Sequence, residues 1–271
     1  MKKNLLLIGC GKMGSALLEG WVSDNNNLNI IVVDPVVIPQ KDNLNKGIKY
    51  INNIESIQKS FIPHIIVLAV KPQAAKKVLE KFKNQSYSDA LVLSIIAGLK
   101  LDSILNFFGK PQPIIRAMPN TPASVKMGIT ALCANDFCKE KESQLAKQLL
   151  QVVGEVFFVE EEKMIDMVTA ISGSGPAYFF YFVECLAEAG ISIGLSNDLS
   201  WKLAVETFLG SAELCNVSLE SPKELRKNVT SPGGTTEAAL STFMKNESLK
   251  KIIINAVNKA KLRSVELSKI I

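Results

Sequence analysis

The sequence predicts an α/β Rossmann-type, doubly wound N-terminal domain followed by an all-α C-terminal domain, and three observations carry that prediction. Over roughly the first 160 residues, short apolar runs alternate with stretches of helical period, the pattern of a parallel sheet built from βαβ units. A glycine-rich segment, Gly9-Cys10-Gly11-Lys12-Met13-Gly14, joins the first predicted strand to the first predicted helix. From about Glu161 the strand pattern stops, and the rest of the chain reads as helix broken by Gly, Pro, Asn and Ser. The division therefore falls between 161 and 162, giving domains 1–161 and 162–271.

Taken in order, the predicted strands are Asn4–Gly9, Asn29–Asp34, Ile65–Val70, Leu91–Ile96, Pro113–Met118, Ile129–Ala134 and Glu155–Val159. Between them Met13–Ser23, Gln73–Phe82, Asp102–Phe108 and Glu140–Val152 carry apolar residues three or four apart, so they read as helices covering the sheet. Asn25–Asn27 reads as a loop. In the second domain, Ala177–Leu195 is apolar on nearly every side, with Tyr178, Phe179, Phe180, Tyr181, Phe182, Val183, Leu186, Ile191 and Ile193. A helix of that kind cannot lie on the surface of a monomer, so the chain is expected to form a homo-oligomer through its C-terminal helices.

With 271 residues, 47% of them apolar, the chain can bury a sizeable core, and two domains are expected. Its formal charge of +5 comes from Lys and Arg scattered along the sequence, with no block of five like charges. This argues against a nucleic-acid partner and suits small anionic ligands. The five cysteines form no CxxC pair and lie among apolar residues, which reads as reduced, mostly buried thiols in the cytoplasm. Only one histidine is present, His64, leading into a strand; a His-based triad or a metal site is not expected. Met1-Lys2-Lys3 with Leu5–Cys10 imitates a secretion signal, but its apolar run falls short of the roughly 7–15 residues required. The apolar stretch 171–183 is bracketed too closely by Asp166 and Glu184 to span a bilayer, so no membrane partner is expected.

The glycine-rich segment passes the context checks for a dinucleotide fingerprint. Gly9 permits the tight turn, Gly11 lets backbone approach a pyrophosphate, and Gly14 lets helix and strand pack closely. Lys12 and Met13 complete the loop, whose helix start offers unpaired N–H groups to phosphates. Asp34 ends the next strand 20 residues beyond Gly14, where a carboxylate can accept from a ribose 2′-OH and opposes a 2′-phosphate. NADH is thereby expected to be at least a usable cofactor. The alternative is that Asp34 is a strand-end turn residue before Pro35.

A second loop, Ser231-Pro232-Gly233-Gly234-Thr235-Thr236, precedes Glu237-Ala238-Ala239-Leu240, whose composition starts a helix. Glycines, hydroxyls and a helix N-terminus together offer several donors to one anion. The plainer reading is an N-cap loop in which Ser or Thr caps the helix.

These motifs, with Ala69-Val70-Lys71-Pro72, Arg116-Ala117-Met118-Pro119-Asn120-Thr121-Pro122 and Gly173-Ser174-Gly175-Pro176-Ala177-Tyr178, occur in the order in which pyrroline-5-carboxylate reductases carry them. The chain resembles that family over essentially its whole length. The resemblance implies NAD(P)H-dependent reduction of the C=N bond of 1-pyrroline-5-carboxylate to L-proline. It implies that Ala69, Val70, Lys71, Pro72 and the Ala97–Gly98 turn lie under the cofactor, with Asn53 on the adenosine side and Asn120 near the nicotinamide. Ser231, Gly233, Gly234 and Thr235 would grip the substrate carboxylate, with Thr236 close to the ring nitrogen. Domain 1–161 is then the dinucleotide-binding part, and 162–271 the substrate and oligomerisation part, forming a dimer or, by further assembly, a decamer.

Hydride delivery needs no nucleophile, only two held reactants and a proton for nitrogen. Thr236 would position or relay that proton, with solvent as the alternative source, and Lys71 would add positive potential. One departure bears on the cofactor: members preferring NADPH carry small or basic residues where Asp34 stands. The rival enzyme, a β-hydroxyacid dehydrogenase-like oxidoreductase, needs a catalytic lysine in the first helix after the boundary, and Ala177–Leu195 holds none. A non-catalytic dinucleotide-binding sensor is the rival of another class.

Overall fold

A computed structural model describes residues 2–24, 27–36, 47–82, 87 and 89–269; Asn25 and Asn26 of the expected loop lie outside them. The chain forms two compact units, 1–174 with 260–271, and 175–259.

In the first unit the strands are β1 (Lys3–Ile8), β2 (Leu28–Val33), β3 (Lys49–Ile51), β4 (Ile65–Leu68), β5 (Leu91–Ser94), β6 (Ile114–Met118), β7 (Gly128–Ala134) and β8 (Gly154–Phe158). They form one sheet in the order β3-β2-β1-β4-β5-β6-β7-β8. β3 is a short edge strand that the apolar pattern did not reveal, since Lys49-Tyr50-Ile51 is too brief to establish a period. All neighbours run parallel except β6 and β7, which pair antiparallel. The link 119–127 holds only a short 3-10 turn, Thr121–Val125, and a parallel crossover needs a dozen residues or more. The sheet is therefore mixed at this end, where the sequence pattern implied parallel strands alone.

Among the described residues, α1 (Lys12–Ser23), α2 (Pro72–Glu80), α3 (Leu101–Phe108) and α4 (Glu140–Gln151) cover the faces. Alternation along β1 sends Leu5 and Leu7 to one core with Leu17, Trp21 and Leu149, and Leu6 and Ile8 to the other with Ala75, Leu79 and Ile104. Both faces are buried, which explains why the strands read as continuous apolar runs. Trp21 Nε1 donates to the Leu149 carbonyl at 2.7 Å, fastening α1 to α4. Truncating a fully buried leucine such as Leu6 costs about 2–5 kcal/mol in cores of this kind.

Helix α5 (Lys163–Val168) and a π-turn at Thr169–Gly173 come after β8. Asp166 of α5 is ion-paired to Arg116 of β6, and Ile165 is buried in the sheet core. These ties carry the sheet unit to Ser174, beyond the expected division at 161/162.

The second unit contains α6 (Gly175–Ser192), α7 (Asn197–Val217), α8 (Pro222–Asn228), α9 (Thr235–Met244) and most of α10 (Ser248–Leu267). Its internal core is small: Val183, Ala187 and Ala204 are buried, with Phe208 against them. Phe180 and Tyr181 on α6, Leu209 on α7 and Ile252 on α10 are each more than half exposed in the single chain. No helix among the described residues is long and apolar enough to cross a membrane.

Candidate functional site

The strand order reverses at β1, with β2 on one side and β4 on the other. In an open α/β sheet, ligands bind beyond the carboxyl ends of the strands at that reversal. A cavity of about 740 Å³ lies there, walled by the glycine loop after β1, the ends of β2 and β4, and α2. Its size is that of a small-molecule site.

Gly9 makes the loop possible. Its φ is +91°, and a Cβ there would sit 2.7 Å from the Ala69 carbonyl oxygen; both demand glycine. Its N–H still donates to the Val33 carbonyl at 2.9 Å, so the turn grows directly out of the sheet. Gly14 packs on the same turn, where a Cβ would lie 2.5 Å from the Gly9 carbonyl oxygen. Gly11, by contrast, has open space where its Cβ would be, and caps α1 with no side-chain hydrogen bond. Bare backbone therefore faces the cavity at a helix N-terminus, which is what a pyrophosphate requires. Lys12 and Met13 form the first turn of that helix.

Asp34 lies on the cavity wall, and its carboxylate turns back on the loop: Oδ2 accepts from Cys10 N–H at 2.7 Å and Oδ1 from Val36 N–H at 2.9 Å. Asp34 thus takes the strand-end turn role that was one of its two sequence readings, and it also lines the cavity. Burial pushes the Cys10 thiol up, partly offset by the Ser15 hydroxyl and reinforced by Asp34. Asn53 also lines the cavity, with Oδ1 capping a 3-10 turn by accepting from Ser56 N–H at 2.9 Å. Ala69, Val70 and Lys71 form the wall beyond β4; Lys71 caps α2, and Pro72 is its first residue.

Sequence reasoning missed the α2 face. Ala74, Lys77, Val78 and Lys81 line the cavity, and their three- and four-residue spacing was the available signal. Lys81 hydrogen-bonds Glu55 at 2.8 Å and holds that carboxyl below its usual range.

Ala97–Gly98 and Asn120 lie just after β5 and β6, so parallel topology brings them to the same edge of the sheet as the cavity, although neither forms part of its wall. Asn120 is buried, and its Oδ1 accepts from Ile129 N–H at 2.9 Å, bracing the turn into β7.

In the helical unit, the 231–236 loop leads into α9, whose cap is Gly234 with no side-chain hydrogen bond; neither Ser nor Thr caps this helix. Gly233 N–H donates to Glu237 Oε2 at 2.8 Å, and Gly234 N–H to the Ser231 carbonyl at 3.0 Å. Two of the expected anion donors are thus engaged inside the loop in this conformation. Thr235 and Thr236 open the helix with N–H and hydroxyl groups.

Residues 162–267 match the family model described as pyrroline-5-carboxylate reductase dimerisation, and residues 4–98 that of NADP oxidoreductase coenzyme F420-dependent. A pyrroline-5-carboxylate reductase of Pseudomonas aeruginosa is 41% identical over 204 residues, 75% of this chain and 74% of that one. One from Synechocystis is 38% identical across 99% of this chain and 100% of its own. The crystal structure of Plasmodium falciparum pyrroline carboxylate reductase with NADP bound is 32% identical, with a TM-score of 0.85 over 98% of both chains.

Proposed function

The chain belongs to the pyrroline-5-carboxylate reductase family, and on that premise we infer that the cavity of the sheet unit receives NAD(P)H and the 231–236 loop receives the substrate. The reaction is NAD(P)H-dependent reduction of the C=N bond of 1-pyrroline-5-carboxylate to L-proline, the last step of proline biosynthesis.

The observation that carries the site assignment is the fit of the cavity to a dinucleotide. A Cβ would fill the backbone approach at Gly9 and Gly14, while Gly11 leaves backbone open beside an uncapped helix start. When bound, the nicotinamide supplies the hydride. The residues of the chain supply position: the N–H groups at Gly11–Met13 hold phosphate, Asp34 and Asn53 border the adenosine side, and Ala69–Pro72 border the cofactor beyond β4. Lys71, exposed at the start of α2, adds positive potential near this edge.

On the substrate side, Thr235 and Thr236 offer donors at the N-terminus of α9, with Ser231, Gly233 and Gly234 shaping the turn before it. The Thr236 hydroxyl holds or relays the proton at the ring nitrogen. Glu237, bonded to Gly233, has to yield that N–H for the glycine to meet a substrate carboxylate.

The chain is a homo-oligomer built on its C-terminal helices, consistent with the dimerisation match over 162–267 and the apolar surface of α6 and α7. A dimer assembling further to a decamer is the finer form of this reading. A cytoplasmic location is supported by five cysteines that form no CxxC pair, of which Cys10 and Cys133 are buried as expected, whereas Cys185 and Cys215 are exposed in the single chain.

Purified chain mixed with 1-pyrroline-5-carboxylate should consume NADH and NADPH, followed in parallel by the absorbance of the reduced cofactor, with proline formed in equal amount. No oxidation of either cofactor would refute the assignment.

A further inference from the structure

An ion cluster beneath the β5–α3 turn forms no part of the cavity wall, yet it reaches that turn by a hydrogen bond at the far end and through a packed helical turn at the near end. Arg116, on β6, is 1% exposed. Its Nη1 donates to Glu162 Oε1 at 2.9 Å, and its Nη2 to Asp166 Oδ1 at 3.2 Å. Each of these oxygens accepts a second bond. Glu162 Oε1 receives Leu101 N–H at 2.9 Å, capping α3 where the local sequence supplies no side-chain cap. Asp166 Oδ1 receives the Ser264 hydroxyl at 2.7 Å.

Ser264 begins the helical turn that closes with Ser268 N–H donating to its carbonyl at 3.2 Å. That turn bears on Gly98, where a Cβ would lie 3.1 Å from Leu267 and 3.2 Å from Ser268 N. Gly98 has φ +78°, in the left-handed region. Segment 98–101 is thus capped at its far end through Glu162 and backed at its near end by a helical turn anchored on Asp166. One guanidinium sets both carboxylates, and all these residues belong to the sheet unit.

We propose that Arg116 and Ser264 are positioning residues for the cofactor, acting through Glu162 and Asp166 to hold the turn after β5 in the shape that accepts the nicotinamide half. The proposal rests on the reading that puts Ala97–Gly98 beside the cofactor. For stability alone an apolar replacement of a buried ion pair serves as well or better. What an apolar core lacks is a rigid fork with two fixed directions, and a binding edge must be held to about 0.5 Å.

The test is fluorescence titration of NADPH and NADH into Ser264→Ala, Arg116→Lys, Gly98→Ala and the Ser264→Ala/Gly98→Ala double variant, well below their unfolding temperatures. Ser264→Ala should weaken Kd for both cofactors about 3- to 10-fold, the size expected of one ordinary hydrogen bond. The KM for 1-pyrroline-5-carboxylate at saturating cofactor should stay within about twofold of wild type. Arg116→Lys, which keeps the charge and loses the fork, should weaken Kd at least as much. The double variant should bind no worse than its weaker parent, since both changes act through one turn. Lowered Tm with unchanged Kd in Ser264→Ala and Arg116→Lys would overturn the proposal and leave the cofactor reading standing. Unchanged Kd in Gly98→Ala, with binding abolished in Gly9→Ala, would instead remove the turn from the cofactor site and the proposal with it. If Ser264→Ala fails to fold, Arg116→Lys decides alone.

Discussion

Asp34 serves two tasks with one carboxylate. Its bonds to Cys10 N–H and Val36 N–H brace the glycine loop, and its place on the cavity wall would set a negative group near the ribose of the proposed cofactor. Asp34→Ser should therefore do two things at once. Losing a charged acceptor for two backbone donors, each bond worth about 1.5–3 kcal/mol, should raise KM for both cofactors. Removing the carboxylate should at the same time shift the ratio of kcat/KM toward NADPH, because repulsion of a 2′-phosphate disappears while a ribose 2′-OH loses an acceptor. Steady-state kinetics with each cofactor separates the two: an equal loss for NADH and NADPH would make Asp34 a brace alone.

At the scale of elements, the start of α9 is where the proposed substrate site can be tested against helix geometry. The helix begins at Thr235 behind a glycine cap, so its first N–H groups are left without a side-chain partner at the cap. On the proposed role of Thr236, Thr236→Ala removes a hydroxyl that would gain importance as the ring nitrogen becomes a protonated amine. We expect kcat to fall about 10- to 100-fold, equivalent to roughly 1.4–2.7 kcal/mol, with cofactor KM little changed. Full kcat with an unchanged pH profile would assign the proton to solvent. The helix itself should persist in the variant, because its cap belongs to Gly234.

For the whole molecule, the helical unit cannot stand on its own core. Three buried residues hold α6 to α7, while Phe180, Leu209 and Ile252 remain largely exposed, a surface that calls for a second copy of the chain. Light scattering at micromolar concentration should return at least twice the mass of one chain. Tm should rise with protein concentration, and Leu209→Glu should lower both the mass and Tm. A monomeric mass with a concentration-independent Tm would reject the oligomer.

How much of the molecule was legible in the sequence depended on how local the cause was. Gly9, Gly11 and Gly14 could be read because a turn and a close approach impose residue type at fixed spacing, and the β1 and β4 apolar runs because burial on both faces leaves no polar positions. The 231–236 loop was legible as donors before a helix, but not its internal bonds, since Gly233 meets Glu237 only once the turn is formed. The reversal of β7 came from the length of one link, which periodicity alone does not weigh. The ion cluster left no trace at all: Arg116, Glu162 and Ser264 stand far apart in the chain and meet only across packed elements. The sequence by itself determined the fold class, the fingerprint and the order of the motifs, because each rests on residues close along the chain. Only the tertiary structure decided which groups already use their hydrogen bonds, because a donor's partner is set by what folding brings within about 3 Å of it.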